Sequence, residues 1–502
     1  MQLVFRFCMC SMVAFAAVPQ HSMAQPAVNA VIAGDFADPS IIRKGNLYYA
    51  VGTSSEWAPH FPIYVSGNRT DWKQTGYVFD KAPSWTAGSF WAPEYYFHNN
   101  TYFIYYTARR KTDNVSCIGV ATSAYPDKGF TDHGVIVAYG KEAIDAFVFE
   151  DEGRLYITFK AYGLDERPIE ILGSALSEDG LQLAGSIFSL FKDEQRIGLE
   201  GQSIRKHDGY YYLFYAAGNC CGINCDYNVR VARSRRLEGP YEQYPVNPVL
   251  QENKEWKCSG HGTFVNAPNG KVYYLHHAYN KVSGVFTGRQ ALHAELTWPQ
   301  KNSWPVFKEI TAHDARHGIS DAFATSASTS WWQWDFKNAV PVTKQSSGHF
   351  YLSGSFDTAN KTGIVVAVRP AALAFTASTT VANHNDAVKG LAYYGDVSAA
   401  TGIGMLGDSV IVWVVKDGTR NIRASKYLPG LTKVDLKIQT QPDSSCHFFY
   451  KKPDATNWIE LTTGHAINAG FLPQWDRSPR IGLHIKGSPA DTAVFSSFQL
   501  NY

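Results

Sequence analysis

Charged residues are scarce in this chain of 502 residues. Asp, Glu, Lys and Arg together make up 18% of it, and 46 basic residues nearly balance 44 acidic ones, which leaves a formal charge of +2. A near-neutral chain has no electrostatic basis for binding nucleic acid or an anionic membrane, so we expect neither partner. Hydrophobic residues make up 45% of the chain, which excludes a disordered protein and allows a large core.

Long apolar segments are lacking, and the longest run lies at the N-terminus. Arg6 precedes an apolar stretch from Cys8 to Val18, and small residues stand three and one positions before a cleavage site after Ala24. This pattern is typical of a secretory signal peptide, and the stretch is shorter than the roughly 20 residues that a membrane span needs. We predict a signal peptide over residues 1–24 and a secreted or periplasmic protein without membrane contact; an N-terminal anchor is the alternative.

Cysteine is sparse as well, and two of the eight cysteines fall in the predicted signal peptide. The others are Cys117, Cys220, Cys221, Cys225, Cys258 and Cys446. Export permits disulfides, and the cluster at 220–225 lacks the CxxC pair of a thiolate zinc site. A disulfide that pins this loop, or buried thiols, is therefore favoured over zinc, and the sequence leaves the pairing open.

The chain has a repeated hairpin pattern. A turn residue, one spacer and an apolar or aromatic run occur five times, 53 to 61 residues apart. The aligned positions are Tyr48, Phe103, Tyr156, Tyr212 and Tyr273. Each run follows a second apolar segment, which makes a strand, a turn and a strand. Five hairpins at this period predict an all-β, five-bladed β-propeller with four-stranded blades; another Tyr-rich all-β fold is the alternative.

The residue that opens the first strand of each hairpin is polar. In chain order these residues are Asp38, Glu94, Asp145, Glu200 and His261. First strands line the axis of a propeller, so the five positions converge. Four carboxylates at one depth repel one another and lose solvation, and this cost indicates a functional site. Capping of backbone amides is the alternative for Glu94, and a structural core histidine is the alternative for His261.

These residues and their flanking motifs resemble glycoside hydrolase family 43, the inverting five-bladed propeller enzymes that act on arabinose- and xylose-containing polysaccharides. The matching segments are residues 35–40, 91–94, 144–149, 199–203, 260–263 and 288–290. The resemblance implies that Asp38 is the general base, that Glu200 is the general acid and that Asp145 orients and tunes the acid.

The chemistry of inversion agrees with this division of roles. It needs one ionised carboxylate that activates water and one protonated carboxylic acid, roughly 6.5 to 9.5 Å apart across the sugar. Asp38 and Glu200 come from the non-adjacent blades one and four, which leaves room for sugar and water. A nearby Asp145 carboxylate is expected to disfavour ionisation of Glu200 and keep it protonated near neutral pH.

Further residues near the carboxylates are candidates for binding substrate. Arg289 can donate to sugar hydroxyls or offset the charge of the acidic cluster, with a surface arginine as the alternative. Aromatic rings can stack on the apolar face of a sugar, although most rings in this chain belong to strand packing. The predicted substrate-binding residues are Trp91, Glu94, Phe147, His261 and Arg289, and Trp57 and Phe61 are additional stacking candidates.

No cofactor is expected to be required. The resemblance implies a structural calcium near His261, with water completing its shell. One histidine is weak support for calcium, because hard cations prefer oxygen ligands.

The hairpin period stops after residue 307. We predict a propeller over 25–311, a polar linker over 312–330 and a second domain over 331–502. Short alternating strands in the last segment predict a β-sandwich of the jelly-roll or concanavalin-like type, similar to the C-terminal domains of some family members. We expect it to dock on the propeller and supplement the substrate site; separate glycan binding or plain stabilisation is the alternative.

The sequence as a whole predicts a secreted, monomeric, inverting glycosidase that removes terminal α-L-arabinofuranosyl or β-xylosyl residues from plant cell-wall polysaccharides or oligosaccharides. An endo-α-1,5-L-arabinanase or an exo-galactanase on the same scaffold is the nearest alternative. A catalytically silent sugar-binding propeller is another. Retaining fructan enzymes are disfavoured, because their Arg-Asp-Pro and Glu-Cys-Pro motifs do not occur.

Overall fold

The computed structural model describes residues 28–162, 168–325 and 330–502, so the predicted signal peptide lies outside the described residues. Nearly all regular structure in these ranges is β, and the single helical segment described is the 3-10 turn Gly284–Phe286. Over the same residues, no helix has the length and apolarity that crossing a membrane requires.

The predicted all-β propeller is confirmed: the first part of the chain forms five antiparallel blades of four strands. Blade one is built from β1 (Ser40–Lys44), β2 (Leu47–Val51), β3 (Trp57–Ala58), β4 (His60–Ser66) and β5 (Lys73–Phe79), of which β3 lies outside its sheet. Blade two contains β6 (Thr86–His98), β7 (Thr101–Arg110), β8 (Ser116–Ser123) and β9 (Thr131–Val137). Blade three contains β10 (Glu142–Asp151), β11 (Arg154–Tyr162), β12 (Glu170–Ala175) and β13 (Phe188–Lys192).

The last two blades follow the same order. Blade four contains β14 (Leu199–His207), β15 (Tyr210–Ala217), β16 (Asn228–Ser234) and β17 (Glu242–Gln243). Blade five contains β18 (Trp256–Asn266), β19 (Val272–Asn280), β20 (Gln290–Thr297) and β21 (Val306–Glu309). Each predicted hairpin is the first strand pair of a blade. The first strands contact one another around the axis, β1 with β6, β6 with β10, β10 with β14, β14 with β18, and β18 with β1.

A left-handed residue occurs within, or two residues before, every inner strand. These residues are Asp38 (φ 51°), Ala92 (42°), Asp145 (59°), Gly201 (56°) and His261 (34°). In β6, β10, β14 and β18 the pairing register shifts at this point. Such bulges turn side chains away from the regular strand alternation, and for a non-glycine residue they cost about 1–3 kcal/mol. The strained residues therefore include, or lie next to, the candidate carboxylates.

The second domain is a sandwich of two antiparallel sheets. The larger sheet contains β22 (Ile319–Asp321), β24 (Ala339–Ser346), β25 (His349–Phe356), β27 (Thr376–Val381), β32 (Val434–Thr440), β33 (Ser445–Lys451), β34 (Ile459–Glu460), β35 (Ile467–Asn468) and β37 (Ala493–Asn501). The smaller sheet contains β26 (Ile364–Val368), β28 (Val388–Asp396), β29 (Ala399–Leu406), β30 (Ser409–Lys416), β31 (Thr419–Tyr427) and β36 (Arg480–Lys486). Their facing side chains, such as Leu391 and Phe495, form one core. Strand β22 lies within the predicted linker, and the domain boundaries themselves stay predictions.

The sandwich docks on blade one. Strand β23 (Trp334–Asp335) pairs with β3 of the propeller. Arg480 of the sandwich donates to the Asp35 carboxylate at 3.2 Å, and both side chains are buried. Arg369 donates to the backbone oxygen of Asp35 at 2.9 Å. Hydrogen bonds and ion pairing therefore join the two domains in addition to apolar packing.

Candidate active site

Asp38, Asp145 and Glu200 line one cavity of about 500 Å³. Its lining also includes Trp91, Arg109, Glu142, Lys160, His261 and Arg289 from the propeller, and Trp475 and Asp476 from the sandwich. A larger cavity of about 670 Å³ lies at the domain junction, and none of the three carboxylates lines it. The smaller cavity is the candidate active site, because buried titratable groups converge there.

Asp38 is held as a carboxylate. Arg289 Nη1 donates to its Oδ1 at 3.0 Å, and the Thr53 hydroxyl donates to its Oδ2 at 2.7 Å. Its backbone N–H donates to Nδ1 of His277 at 3.0 Å. Burial by itself raises the pKa of Asp38, but Arg289 and the neighbouring histidines outweigh this effect and hold the pKa far below its usual range. Asp38 is therefore ionised near neutral pH.

Asp145 is the carboxyl group that retains a proton most readily in this cavity. Its Oδ2 accepts the N–H of Gly201 at 2.9 Å, which ties it to the residue after Glu200. His261 Nδ1 lies 3.7 Å from this oxygen and 3.5 Å from Oδ1 of Asp38. Burial raises the pKa of Asp145 to about 6; His261 opposes the rise and the Glu200 charge adds to it.

Glu200 differs from the expectation of a protonated acid in the free protein. Lys160 Nζ donates to its Oε2 at 2.6 Å, and the Tyr227 hydroxyl donates to its Oε1 at 2.9 Å. Burial favours a raised pKa for Glu200, but the Lys160 charge and both hydrogen bonds outweigh it, and the pKa is lowered. The prediction that Asp145 raises the pKa of Glu200 is therefore wrong. Glu200 contacts the Lys160 cation and has the lowered pKa, whereas Asp145 has the raised one.

Lys160 was missed by reasoning from the sequence. It follows the apolar residues of the third hairpin in β11 and is buried, with 9% of its surface exposed. Lysine is rarely buried unless it is paired, so a lysine in an otherwise buried strand was the available signal. Tyr227 carried no comparable signal, because tyrosine is common in every blade.

Three of the five predicted substrate-binding residues, Trp91, His261 and Arg289, line the cavity. The Trp91 indole N–H donates to the Asp476 carboxylate at 3.2 Å. Arg289 Nη2 donates to the backbone oxygen of Asp476 at 3.3 Å. A loop of the sandwich is therefore bonded to both residues at the edge of the cavity.

Glu94 is absent from the lining of this cavity. It is buried, and it accepts hydrogen bonds from the Ser40 hydroxyl at 2.6 Å and from the Val148 N–H at 3.3 Å. Burial, opposed by these bonds, raises the pKa of Glu94 to about 8. Glu94 thus connects the inner strands of blades one, two and three. This arrangement fits the alternative, in which Glu94 caps backbone amides, rather than substrate binding.

The remaining aromatic candidates also pack away from the cavity. Phe147 lies in the core between blades three and four. Phe61 is fully buried among the aromatic rings of blades one and two. Trp57, on β3, is covered by the sandwich and packs against Trp413 and its neighbours. The prediction that these rings stack on sugar is therefore wrong, because packing between blades and between domains covers them.

The side chains around His261 do not fit a directly bound calcium ion. Within residues 28–162, 168–325 and 330–502, no group of three or more His, Cys, Asp or Glu side chains is arranged to hold a metal. Calcium takes roughly six to eight oxygen ligands, whereas Asp38 is already engaged by Arg289. A calcium ion held through water stays a prediction, and no step of the chemistry depends on it.

Two disulfides shape one wall of the cavity. Cys220 is bonded to Cys221, and Cys225 is bonded to Cys258 on β18. The Cys220–Cys221 pair lines the cavity. Both bonds agree with the prediction of a disulfide that pins this loop. All four cysteines of the region are oxidised, so none is a thiolate that could bind zinc. Cys117 and Cys446 are free and buried.

A five-bladed propeller whose inner strands bring an ionised and a proton-retaining carboxyl group into one cavity defines a glycosidase. The sequence model of glycosyl hydrolases family 43 matches residues 27–305, which is more than half of the chain. The chain belongs to this family.

Curated relatives resemble the propeller part. The extracellular exo-α-(1→5)-L-arabinofuranosidase ArbA of Cellvibrio japonicus (strain Ueda107) is 27% identical over 312 residues, covering 55% of this chain and 87% of that protein. The extracellular endo-α-(1→5)-L-arabinanase 1 of Bacillus subtilis (strain 168) is 26% identical over 293 residues, covering 54% and 87%. A xylan 1,3-β-xylosidase of a Vibrio species is 28% identical over 269 residues, covering 49% of each chain.

Solved structures resemble both domains together. The family 43 protein BlXynB of Bacillus licheniformis superimposes with a TM-score of 0.80 at 20% identity, covering 95% of this chain and 100% of that one. The xylan β-1,4-xylosidase of Bacillus halodurans C-125 gives 0.81 at 20% identity with the same coverage. At this identity the likeness concerns the fold alone, a propeller followed by a sandwich.

Proposed function

We propose that this protein is a secreted, inverting α-L-arabinofuranosidase that removes terminal residues from arabinose-containing polysaccharides or oligosaccharides of plant cell walls. Asp38 is the general base, Glu200 is the general acid and Asp145 orients and supplies the acid. One observation carries the proposal: carboxyl groups from blades one, three and four line a single cavity in opposite electrostatic settings.

Asp38 activates the water. Arg289 and Thr53 occupy both of its oxygens and keep it ionised, so it can accept a proton as water attacks the anomeric carbon. Arg289 is fixed in turn by the backbone of Asp476. The base therefore has a defined orientation before substrate binds, which reduces the reorganisation needed in the transition state.

Glu200 delivers the proton to the leaving group. Asp145 and Glu200 act as a pair that shares one proton, and in the free protein Asp145 retains it because Lys160 stabilises the Glu200 charge. A bound sugar expels water from the cavity and raises the cost of that charge. The shared proton then moves to Glu200, next to the glycosidic oxygen.

The shape of the cavity supports exo action. The sandwich contributes Trp475 and Asp476 to its edge, and the Cys220–Cys221 loop borders it as well. A site bounded by two loops suits a chain end better than the middle of a polymer, which disfavours the endo-arabinanase alternative. The arabinofuranosidase and arabinanase names of the first two relatives support arabinose as the sugar.

A β-xylosidase is the second candidate, and an exo-galactanase is a more distant one. The next two relatives are named xylan 1,3-β-xylosidase and xylosidase/arabinosidase, at 28% and 27% identity. These names favour xylose over galactose as the alternative sugar. The reaction and the residues in it are the same for each sugar.

Product analysis decides among these substrates. The protein is incubated with aryl α-L-arabinofuranoside, aryl β-xyloside, arabinan, arabinoxylan and galactan, and the released sugars are identified by chromatography. We expect free arabinose as the main product. Arabino-oligosaccharides as first products would indicate an endo-arabinanase, and xylose or galactose would indicate the corresponding exo-enzyme.

Glu200→Ala tests the general acid. Loss of a general acid lowers turnover by about 10²–10⁴-fold, and sugar binding measured by calorimetry should survive. Glu152→Ala, at a side chain that is 84% exposed, is the matched control and should leave turnover unchanged. Unchanged turnover in Glu200→Ala would exclude the assignment, and an inactive wild-type protein that still binds sugar would identify a silent propeller.

The stereochemistry tests the base. Proton NMR of the first-formed sugar should show the inverted anomer, because Asp38 activates water and forms no covalent intermediate. A retained anomer would refute the role of Asp38 as a general base.

A further inference from the structure

The loop of residues 218–227, between β15 and β16, is fastened at its base. The Asn219 N–H donates to the Asp226 carboxylate at 2.6 Å, and the Asp226 N–H donates back to the Asn219 backbone oxygen at 3.2 Å. The Cys225–Cys258 disulfide fixes the same loop to the inner strand of blade five. The Cys220–Cys221 disulfide directly follows Asn219, so these bonds restrict its movement.

This loop lies on the side of the cavity that holds Glu200. Ala216, just before the loop, pairs with Glu200 across the first two strands of blade four. Tyr227, at its other end, donates a hydrogen bond to Glu200. Because the general acid protonates the oxygen of the leaving group, the leaving sugar has to lie beside the residues that surround Glu200 at the edge of the cavity.

The sandwich supplies an adjacent surface. Trp475 lines the same cavity and is 62% exposed, which is unusual for so large an apolar side chain. Its ring edge lies close to Gly222, where an added Cβ would be 3.3 Å from Cδ1 of the indole. The Gly222 N–H donates to the Tyr279 hydroxyl oxygen at 3.3 Å, which fixes this part of the loop against blade five.

The two surfaces share a chemistry that suits a sugar. Two adjacent cysteines joined by a disulfide form a small rigid ring without charge or strong hydrogen-bonding groups, and sulfur is polarizable. An indole offers a flat apolar face to the C–H groups of a sugar ring. Both groups line the cavity, so both can contact a sugar that is bound there.

We propose that the Cys220–Cys221 disulfide and the Trp475 indole together form the subsite for the leaving-group sugar. The inference rests on the proposed function, since a leaving group is defined by the acid role of Glu200. It assigns to the disulfide a part in substrate binding rather than a purely structural role, and it makes the sandwich a contributor to that subsite.

Two substrates separate this subsite from the catalytic centre. One is an arabino-oligosaccharide, whose leaving group is a sugar. The other is arabinofuranosyl fluoride, whose leaving group is a single atom that reaches neither surface. The variants are Trp475→Ala and the double variant Cys220→Ala with Cys221→Ala. Tyr427→Ala, at an outward-facing sandwich residue that is 65% exposed, is the control.

We expect each variant to lower kcat/KM for the oligosaccharide about tenfold, mainly through KM, since this loss corresponds to one good stacking contact. Hydrolysis of the fluoride should stay within about twofold of wild type, because uniform binding at the reacting sugar is intact. The control should match wild type on both substrates. If the double variant does not fold, the test rests on Trp475→Ala, which changes an exposed side chain.

Parallel losses on both substrates would overturn the proposal, because they would mean that the two groups support the catalytic centre. Unchanged values on both would also overturn it. Failure of the proposed function looks different: the wild-type protein would then hydrolyse neither arabinosyl substrate. In that case kcat/KM is compared between a xylo-oligosaccharide and xylosyl fluoride, and the same pattern of losses tests the subsite.

Discussion

Lys160 and Glu200 form the closest ion pair of the cavity, with Nζ and Oε2 2.6 Å apart. A general acid must carry a proton when substrate is attacked, whereas this cation favours the carboxylate. Burial raises the pKa of Asp145 to about 6, and in the proposed mechanism this neighbouring carboxyl group holds the proton that Glu200 needs. We therefore expect the pair, rather than either carboxyl group alone, to set the upper pH limit of activity.

Lys160→Met should therefore shift the pH profile. Without the cation the pKa of the Asp145 and Glu200 pair rises, since an adjacent positive charge lowers a carboxyl pKa by roughly one to three units. The basic limb of kcat/KM, which reports the acid in the free enzyme, should move to higher pH by about one unit or more. Lys206→Met, at a lysine paired with Asp151 outside the cavity, should leave the profile unchanged. A basic limb that stays in place or moves to lower pH would contradict this explanation.

Glu94 links stability to pH. Burial raises its pKa from the usual 4.5 to about 8, so its stabilising contribution is fully present below about pH 4.5 and is lost as the pH rises through about 8. Glu94→Gln mimics the protonated form and should remove this loss. The melting temperature of the variant should exceed that of wild type increasingly from about pH 5 to about pH 9. Glu152→Gln is the exposed control, and a pH-independent difference for Glu94→Gln would refute the raised pKa.

At the scale of elements, bulges in the inner strands orient the side chains of the site. Gly201 shows the constraint most clearly: its φ is 56°, and an added Cβ would lie 2.7 Å from Cγ of His261. Asp38 and Asp145 adopt the same left-handed region with side chains present. Hydrogen bonds from adjacent blades hold these residues in place; the Asp145 N–H, for example, donates to the Thr107 hydroxyl oxygen at 3.2 Å.

The two disulfides of the 218–227 loop should differ in their effect on stability. Cys225 and Cys258 are 33 residues apart, and closing a loop of that length stabilises a fold by roughly 3–4 kcal/mol. Cys220 and Cys221 are neighbours and constrain almost no chain. Replacing Cys225 and Cys258 by Ala should lower the free energy of unfolding in urea by that amount, and the double Ala variant at Cys220 and Cys221 should lower it far less. Equal losses would contradict the loop-closure explanation.

At the scale of the whole molecule, the contacts between the two domains lead us to expect that they unfold as one unit. Their contact contains a two-stranded sheet, the pairing of β3 with β23, and the buried pair of Arg480 with Asp35. The same interface carries Trp475 and Asp476 to the cavity edge. Removal of the sandwich would therefore expose apolar surface of blade one and open the active site at the same time.

Arg480→Met tests this coupling. It leaves the buried Asp35 carboxylate without its cation, and loss of one partner of a buried ion pair costs about 3–5 kcal/mol. Calorimetry of the wild-type protein should give one cooperative transition, and the variant should unfold in one transition at a lower temperature. Arg423→Met, at an exposed residue of β31, is the control. Two separate transitions in the wild-type protein would show that the domains unfold independently.

The sequence alone predicted the parts of this protein that depend on local pattern. A hairpin pattern of apolar and turn residues recurs every 53 to 61 residues, and each repeat is one blade. The spacing therefore predicted the propeller and the convergence of Asp38, Asp145 and Glu200. Strand alternation also predicted the sandwich. These features are visible in a sequence because strand pairing within a hairpin joins residues that are close along the chain.

Only the tertiary structure decided the features that depend on distant contacts. Lys160 meets Glu200 across two blades, Trp475 reaches the cavity from the other domain, and Trp57 is covered by the sandwich. Burial and the contact with Lys160 decide which of the two carboxyl groups has the higher pKa, and the low count of charged residues in the chain does not predict this. A pKa or a pocket wall is set by the few ångströms around a group, and the chain brings those neighbours together only when the blades and the sandwich have packed.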